Sequence, residues 1–251
     1  MRLRLIRHAT LVIDVAGTRV LVDPQLDPAG AREPVPGTPA PRRNPLVELP
    51  EPAEVVVQGV GLVAVTHLHS DHLDETAVRL LASDVPLICQ PPDAERLRER
   101  GFSAVEPVDD EAAVAGLAVT RTGGRHGTGE VGRRMGPVSG FVIRAPGEPS
   151  LFVAGDTVWC DEVRDALDRH RPDVVVLNAG AAQFLEGGPI TMDADDVVAA
   201  ARHAPGARIV AVHLDAVSHC VETRADLHQR LQDEGLTDRV TVPEDGSEVP
   251  L

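Results

Sequence analysis

The chain has 251 residues, with Lys+Arg 24 against Asp+Glu 39 and a formal net charge of -15, which suits one large domain or two small ones. A surface this acidic repels phosphate backbones and anionic headgroups, so neither nucleic acid nor a membrane is expected as a partner. Aromatics make up only 2% of the chain, too few to build stacking platforms for bases.

Three cysteines, Cys89, Cys160 and Cys220, make no disulfide framework, and no CxxC pair is present. The opening MRLRLIRHATLVIDVAG has no long apolar run, so no signal peptide is read and a cytoplasmic location is expected. In chain order, Leu3–Ile6, Leu11–Val15 and Arg19–Val22 read as a hairpin-like opening turned at Ala16-Gly17-Thr18 and stopped by Asp23-Pro24. Residues 24–54 carry nine prolines. A stretch that long without periodicity reads as a functional rim loop.

From residue 55 short aliphatic runs alternate with helical patterns. The runs are Leu62–Val65, Val85–Cys89, Leu117–Thr120, Phe141–Ile143, Leu151–Ala154, Val174–Leu177 and Ile209–Val212. Helices are expected over Glu75–Ala82, over Ala94–Arg100 capped by Asp93, around Val163–Leu167, over Asp193–His203, and over Arg224–Glu234 with a capping box at Thr223 and Asp226. The fold class is therefore α/β or α+β, with sheet layers covered by helices, in a single domain spanning 1–251.

Thr66-His67-Leu68-His69-Ser70-Asp71-His72-Leu73-Asp74 carries the chemistry. Three histidines and an aspartate within six residues, after a buried strand, are the nitrogen and oxygen ligands that zinc and its neighbours take. His67 and His69, two apart, can chelate one ion, and Asp71-His72 then face a neighbouring position. Six adjacent residues cannot fill two coordination spheres. Further ligands are available at strand ends: His126 in the glycine-rich Gly123–Gly127 loop, Asp156 after Leu151–Ala154, and His213 after Ile209–Val212.

The order HxHxDH, a histidine in a glycine-rich loop, GD[TS] and a strand-end histidine resembles the metallo-β-lactamase superfamily along nearly the whole chain. Arg7-His8-Ala9-Thr10 with Leu21-Val22-Asp23-Pro24 is similar to its ascorbate-6-phosphate lactonase-like branch. The resemblance implies a four-layer αββα sandwich with a dinuclear site at one edge. By position it assigns His67, His69 and His126 to one ion, Asp71, His72 and His213 to a second, and Asp156 to a bridge. It implies two divalent ions, zinc first, with manganese or iron as alternatives.

Two departures narrow the activity. Asp156 stands where the commonest zinc β-lactamases have cysteine, and no basic substrate arm of the nuclease kind is present. A dinuclear hydrolase of a small ester, lactone or phosphate-bearing substrate is the leading expectation, with water activated between the ions and Asp71 orienting it or taking its proton. A phosphodiesterase of the same fold, or a metal-binding protein without catalysis, is the alternative. His219, Arg125, Arg133 and Arg134 are the candidate substrate contacts, and a homo-oligomer is left open. His8 is read as structural, Asp23 as either a carboxylate behind a ligand or a turn residue, and Cys160 and Cys220 as buried inert thiols. Asn178 and Gln183 either contact substrate or finish a turn, and His170, His203 and His228 face solvent.

Overall fold

The computed structural model describes residues 1–251. Strands β1 (Arg2–Arg7), β2 (Thr10–Val15) and β3 (Thr18–Val22) form an antiparallel meander. Ala16 and Gly17 join the last two with φ of 48° and 82°, the left-handed pair that a two-residue hairpin turn needs. β4 (Leu62–Val65), β5 (Leu87–Cys89) and β6 (Val105–Pro107) continue this sheet in parallel, and β14 (Glu248–Val249) closes its other edge beside β1.

The second sheet runs in the order β13 (Val240–Thr241), β12 (Arg208–Val212), β11 (Val174–Asn178), β10 (Leu151–Val153), β9 (Ser139–Arg144), β8 (Leu117–Gly123) and β7 (Glu111–Val114). Helices α1 (Ala53–Val56), α2 (Glu75–Leu80) and α3 (Ala94–Glu99) belong with the first sheet. Helices α5 (Asp161–His170), α6 (Ala194–His203) and α7 (Arg224–Asp233) belong with the second, and α4 (Gly129–Met135) stands apart from both cores.

The order of layers follows from alternation along the strands. On β4, Leu62 and Ala64 point into the cluster shared by both sheets, and Val63 and Val65 into the one shared with α2 and α3. On β11, Val174 and Val176 face the other sheet while Val175 and Leu177 face α5 and α6. Strands buried on both faces read as unbroken aliphatic runs, and each buried Val or Leu contributes on the order of 1.5–3 kcal/mol. The result is the expected αββα sandwich.

Several local expectations need correction. Asp93 makes no cap bond to α3; its carboxylate accepts instead from Gln90 Nε2 at 2.9 Å. Part of the glycine-rich segment after His126 is the helix α4. Close approach explains Gly132 within it and Gly187 packed against it: a Cβ on Gly132 would lie 2.6 Å from the Gly127 carbonyl oxygen, and one on Gly187 2.1 Å from a Val131 methyl. The short strands β6, β7, β13 and β14 went unread. The capping box at Thr223 and Asp226 is present.

Residues 24–52 hold no helix or strand beyond a single bridge between Arg32 and Asn44. The loop is tied down by Arg7, fully buried, whose guanidinium donates to the carbonyls of Gln25, Asp27 and Val47 at 2.9–3.0 Å. It reaches the far side of the site through Leu46 N–H to Ala216 O and Leu185 N–H to Gly37 O, both at 2.8 Å.

Candidate metal centre

The centre gathers at the ends of strands from both sheets. Thr66 and His67 leave β4. The Thr66 N–H and hydroxyl both donate to Asp23, at 2.8 and 2.7 Å. The following turn closes with His72 N–H on His69 O at 2.9 Å, and Asp74 then caps α2 by accepting from Ala77 N–H at 2.8 Å. His126 follows β8, Asp156 follows β10 and His213 follows β12. Because β8 and β10 are both antiparallel to β9, while β11 and β12 run parallel to β10, these carboxyl ends share one edge. Gly155, at φ 71°, precedes Asp156; a Cβ there would stand 2.9 Å from Ser139 O.

All seven expected ligands converge. His69 Nδ1 lies 2.9 Å from His67 Nε2 and 3.2 Å from His126 Nε2. Asp156 Oδ2 faces His72 Nε2 at 3.2 Å, His126 Nε2 at 3.6 Å and His67 Nε2 at 3.9 Å, while Oδ1 faces His213 Nε2 at 3.3 Å. Asp71 Oδ2 lies 3.9 Å from both His213 Nε2 and His219 Nε2. Three groups have ligand atoms within 4.8 Å of one another, a spacing that suits an ion: His67, His69 and His126; His67, His72 and Asp156; and His8, Asp71, His72 and His213.

The structure itself supports the fit of a divalent cation. Buried nitrogens need partners, yet the fully buried Nε2 atoms of His72 and His213 make no aligned hydrogen bond, although Asp156 oxygens lie 3.2 and 3.3 Å away. Imidazoles and carboxylates without a thiolate are the donor set of zinc, manganese or iron. The backs of the rings are held as metal-binding histidines require: His72 Nδ1 on Asp23 Oδ2 at 2.8 Å, His126 Nδ1 on Ile190 O at 2.8 Å, and His213 Nδ1 beside Cys220 Sγ at 3.4 Å. Asp156 Oδ1 accepts from Asn178 Nδ2 at 2.7 Å.

Burial pushes His67 well below the usual imidazole range, helped by the neighbouring His72, and takes His126 down to about 4. Burial also opposes a charge on His72, but Asp156 and Asp23 outweigh it and carry that ring up to about 10. For Asp156, burial works against ionisation, and His213 and His72 overcome it, holding the carboxyl well below its ordinary value.

Sequence reasoning missed three residues here. His8, fully buried, has Nε2 3.3 Å from Asp71 Oδ2. Cys220, expected to be a buried inert thiol, is only partly buried and packs against His213. Asn178 touches Asp156. His219 is buried beside Asp71.

The three arginines each have a neighbour of their own. Arg125 pairs with Glu162 at 2.9 Å, Arg133 with Glu130 at 3.6 Å, and Arg134 lies over the Phe184 ring at 5.7 Å. Cys160 is buried. Gln183 gives its backbone N–H to His219 O, His228 is exposed, and His203 pairs with Asp168 at 2.9 Å. His170 is partly exposed.

Known proteins share this architecture. The Beta-lactamase superfamily domain profile matches residues 18–214. The chain belongs to the metallo-β-lactamase superfamily. Within it, a UPF0173 protein of Bacillus subtilis, YddR, is 36% identical over 249 residues, 98% of either chain. A UPF0173 metal-dependent hydrolase of Azorhizobium caulinodans is 30% identical over 190 residues, 72% of this chain and 73% of its own.

Two crystal structures superpose along the full length. One, a possible metal-dependent hydrolase from Veillonella parvula, has a TM-score of 0.96 at 33% identity, covering 100% of this chain and 99% of its own. The other, an isothiocyanate hydrolase from Delia radicum gut bacteria, has 0.94 at 35%, with the same coverage. The chain is a metal-dependent hydrolase of this superfamily. These relatives place it with UPF0173 proteins and lend no support to the ascorbate-6-phosphate lactonase-like branch. No helix is long and apolar enough to cross a membrane.

Proposed function

We propose that the centre holds two divalent ions and hydrolyses a small, uncharged, electrophilic carbon compound, with an isothiocyanate as the first candidate. The observation carrying the two-ion part is the split carboxylate of Asp156. Oδ1 faces His213, and Oδ2 faces both His72 of that same group and His67 and His126 of the other, so the two groups meet on one carboxylate, which suits a bridge. The substrate part rests on full-length likeness to an isothiocyanate hydrolase, and Arg125, the arginine adjoining His126, is already paired with Glu162 at 2.9 Å, which offers less to a phosphate-bearing substrate.

Two ions there would supply Lewis acidity and a water whose pKa falls toward 7. Hydrolysis of R–N=C=S would add water across its C=N bond to give a thiocarbamic acid, which breaks down to R–NH2 and carbonyl sulfide. On this reading Asp71 would orient the water or take its proton. His219, whose Nε2 is 3.9 Å from Asp71 Oδ2, would pass a proton to the departing nitrogen. Asn178 and Asp23 keep Asp156 and His72 aimed while this happens.

The test is a panel of alkyl and aryl isothiocyanates, esters, lactones and phosphodiesters, assayed after loading with zinc, manganese or iron. Amine release from isothiocyanates is expected to dominate. Turnover confined to phosphodiesters would overturn the substrate reading, and full activity with one ion per chain would overturn the two-ion reading.

A further inference from the structure

The Arg7-His8-Ala9-Thr10 motif is divided between three tasks. Arg7 anchors the proline-rich loop, and Thr10 Oγ1 donates to Asp23 O at 2.8 Å, steadying the carboxylate behind His72. His8 lies between them with no exposed surface and φ of 60°, a left-handed conformation that a non-glycine residue adopts only when its surroundings enforce it. Its carbonyl accepts the N–H of His213 at 2.9 Å, and His213 itself sits at φ 69°. The two rings overlap with centroids 3.7 Å apart at 40°. His8 Nε2 is 3.3 Å from Asp71 Oδ2, and Nδ1 has no partner.

We propose that His8 is a positioning residue for the second metal position, holding Asp71 by an Nε2–H···Oδ2 hydrogen bond and fixing the His213 ring by stacking on its face. An imidazole confined to an apolar core would have no reason to meet a carboxylate. This one meets the carboxylate that also faces His213 and His219. The His8 ring lies close over His213 at a 40° tilt, and with Nε2 3.3 Å from Asp71 Oδ2 a proton on Nε2 is what an ionised Asp71 would accept. That bond takes one lone pair of Oδ2, the oxygen that also faces His213 Nε2 at 3.9 Å, and the backbone bond to His213 ties both partners to one residue. Outer partners of metal ligands act in this way and are typically worth about 10- to 100-fold in metal affinity.

The inference rests on the two-ion reading, and its test separates the two. Zinc affinity is measured by chelator competition for the wild-type chain, His8→Leu and His8→Gln. In the wild type two binding steps are expected; a single step would sink the two-ion reading itself. His8→Leu is expected to weaken one step about 10- to 100-fold and spare the other. His8→Gln, whose amide can still donate to Asp71, is expected to recover most of the loss. If the wild type binds two ions and His8→Leu binds both as tightly, His8 positions nothing. Should the variants fail to fold, the zinc-loaded wild type still decides through the long-range nitrogen–proton NMR spectrum of His8. A proton on Nε2 and a bare Nδ1 support the proposal, whereas either nitrogen bound to zinc makes His8 a ligand and overturns it.

Discussion

Asp23 Oδ2 accepts the Nδ1 proton of His72 at 2.8 Å and the Thr66 hydroxyl at 2.7 Å, while Oδ1 accepts the Thr66 N–H at 2.8 Å. One buried carboxylate thus sets the direction of His72 Nε2 and the path of the chain into His67. Asp23→Asn keeps the shape but forces an amide N–H onto one of these partners. The expected result is about a 10- to 100-fold loss of affinity at the position His72 serves, with the fold retained. Chelator competition alongside circular dichroism checks it; unchanged affinity would mean that Asp23 only shapes the turn.

Loading of that position should also release a proton. With His72 raised to about 10 by Asp156 and Asp23 against the opposing effect of burial, the metal-free ring is charged at pH 7, and an ion taking Nε2 displaces that proton. Below about 10 the proton competes, so binding there tightens as pH rises from 7 toward 10, roughly tenfold per unit. His126, taken down to about 4 mainly by burial, is already neutral at pH 7 and releases none. Zinc titration by calorimetry in buffers of different ionisation enthalpy counts the protons, and a count of zero contradicts this account.

Arg7→Met addresses the loop. The guanidinium supplies three bonds to loop carbonyls from a fully buried position. Hydrogen bonds from a charged group are worth about 1.5–3 kcal/mol each, partly offset by the cost of burying the charge. Methionine replaces the stem and leaves the carbonyls unpaired, so a loss of about 3 kcal/mol and faster protease cleavage within residues 24–52 are expected. Limited proteolysis followed by mass mapping tests this; cleavage no faster than in wild type would show the loop held by its other contacts.

What could be read from the chain alone divides by range. β4, β11 and β12 were legible because burial on both faces leaves unbroken aliphatic runs. HxHxDH was legible because six neighbouring residues carry the pattern. His126, Asp156 and His213 each followed a recognisable strand. His8, Asn178 and Cys220 were not, because their partners are fixed only by folding: His8 meets Asp71 63 residues on, and Asn178 meets Asp156 22 residues back. The helix α4 was hidden by glycines that suggest flexibility, yet Gly132 serves close packing on Gly127. β13 and β14, two residues each, are too short to show a period.

Removal of metal should abolish hydrolysis and leave the sandwich standing. The central cluster of 22 buried residues and the two sheet–helix clusters do not depend on the centre. Prolonged chelation is expected to eliminate activity with little change in far-ultraviolet circular dichroism and a lower Tm, since an ion that binds only the folded state stabilises it by mass action. Readdition should restore activity as about two equivalents are taken up. Loss of the circular dichroism signal on chelation would instead make the metal a folding element.

Asp156→Asn gives the sharpest test of the bridge. Asn178 Nδ2 donates to Asp156 Oδ1 at 2.7 Å, so an amide introduced at this position keeps its oxygen toward Asn178 and turns its NH2 into the place of Oδ2. That place faces His72, His126 and His67 at 3.2, 3.6 and 3.9 Å. An NH2 group offers no lone pair to a cation, so the His67, His69 and His126 position loses its oxygen outright. The position near His213 keeps a neutral oxygen and loses only charge. Both binding steps should weaken, the first more than the second, and turnover should fall at least about 100-fold. His219→Ala, beside Asp71 but outside the seven proposed ligands, should leave both steps unchanged and alter only turnover or KM. Metal stoichiometry and hydrolysis are measured for the two variants together. If Asp156→Asn retains two tightly held ions and full activity, no carboxylate bridge exists. If it loses only the ion near His213, Asn178 does not set the orientation of residue 156.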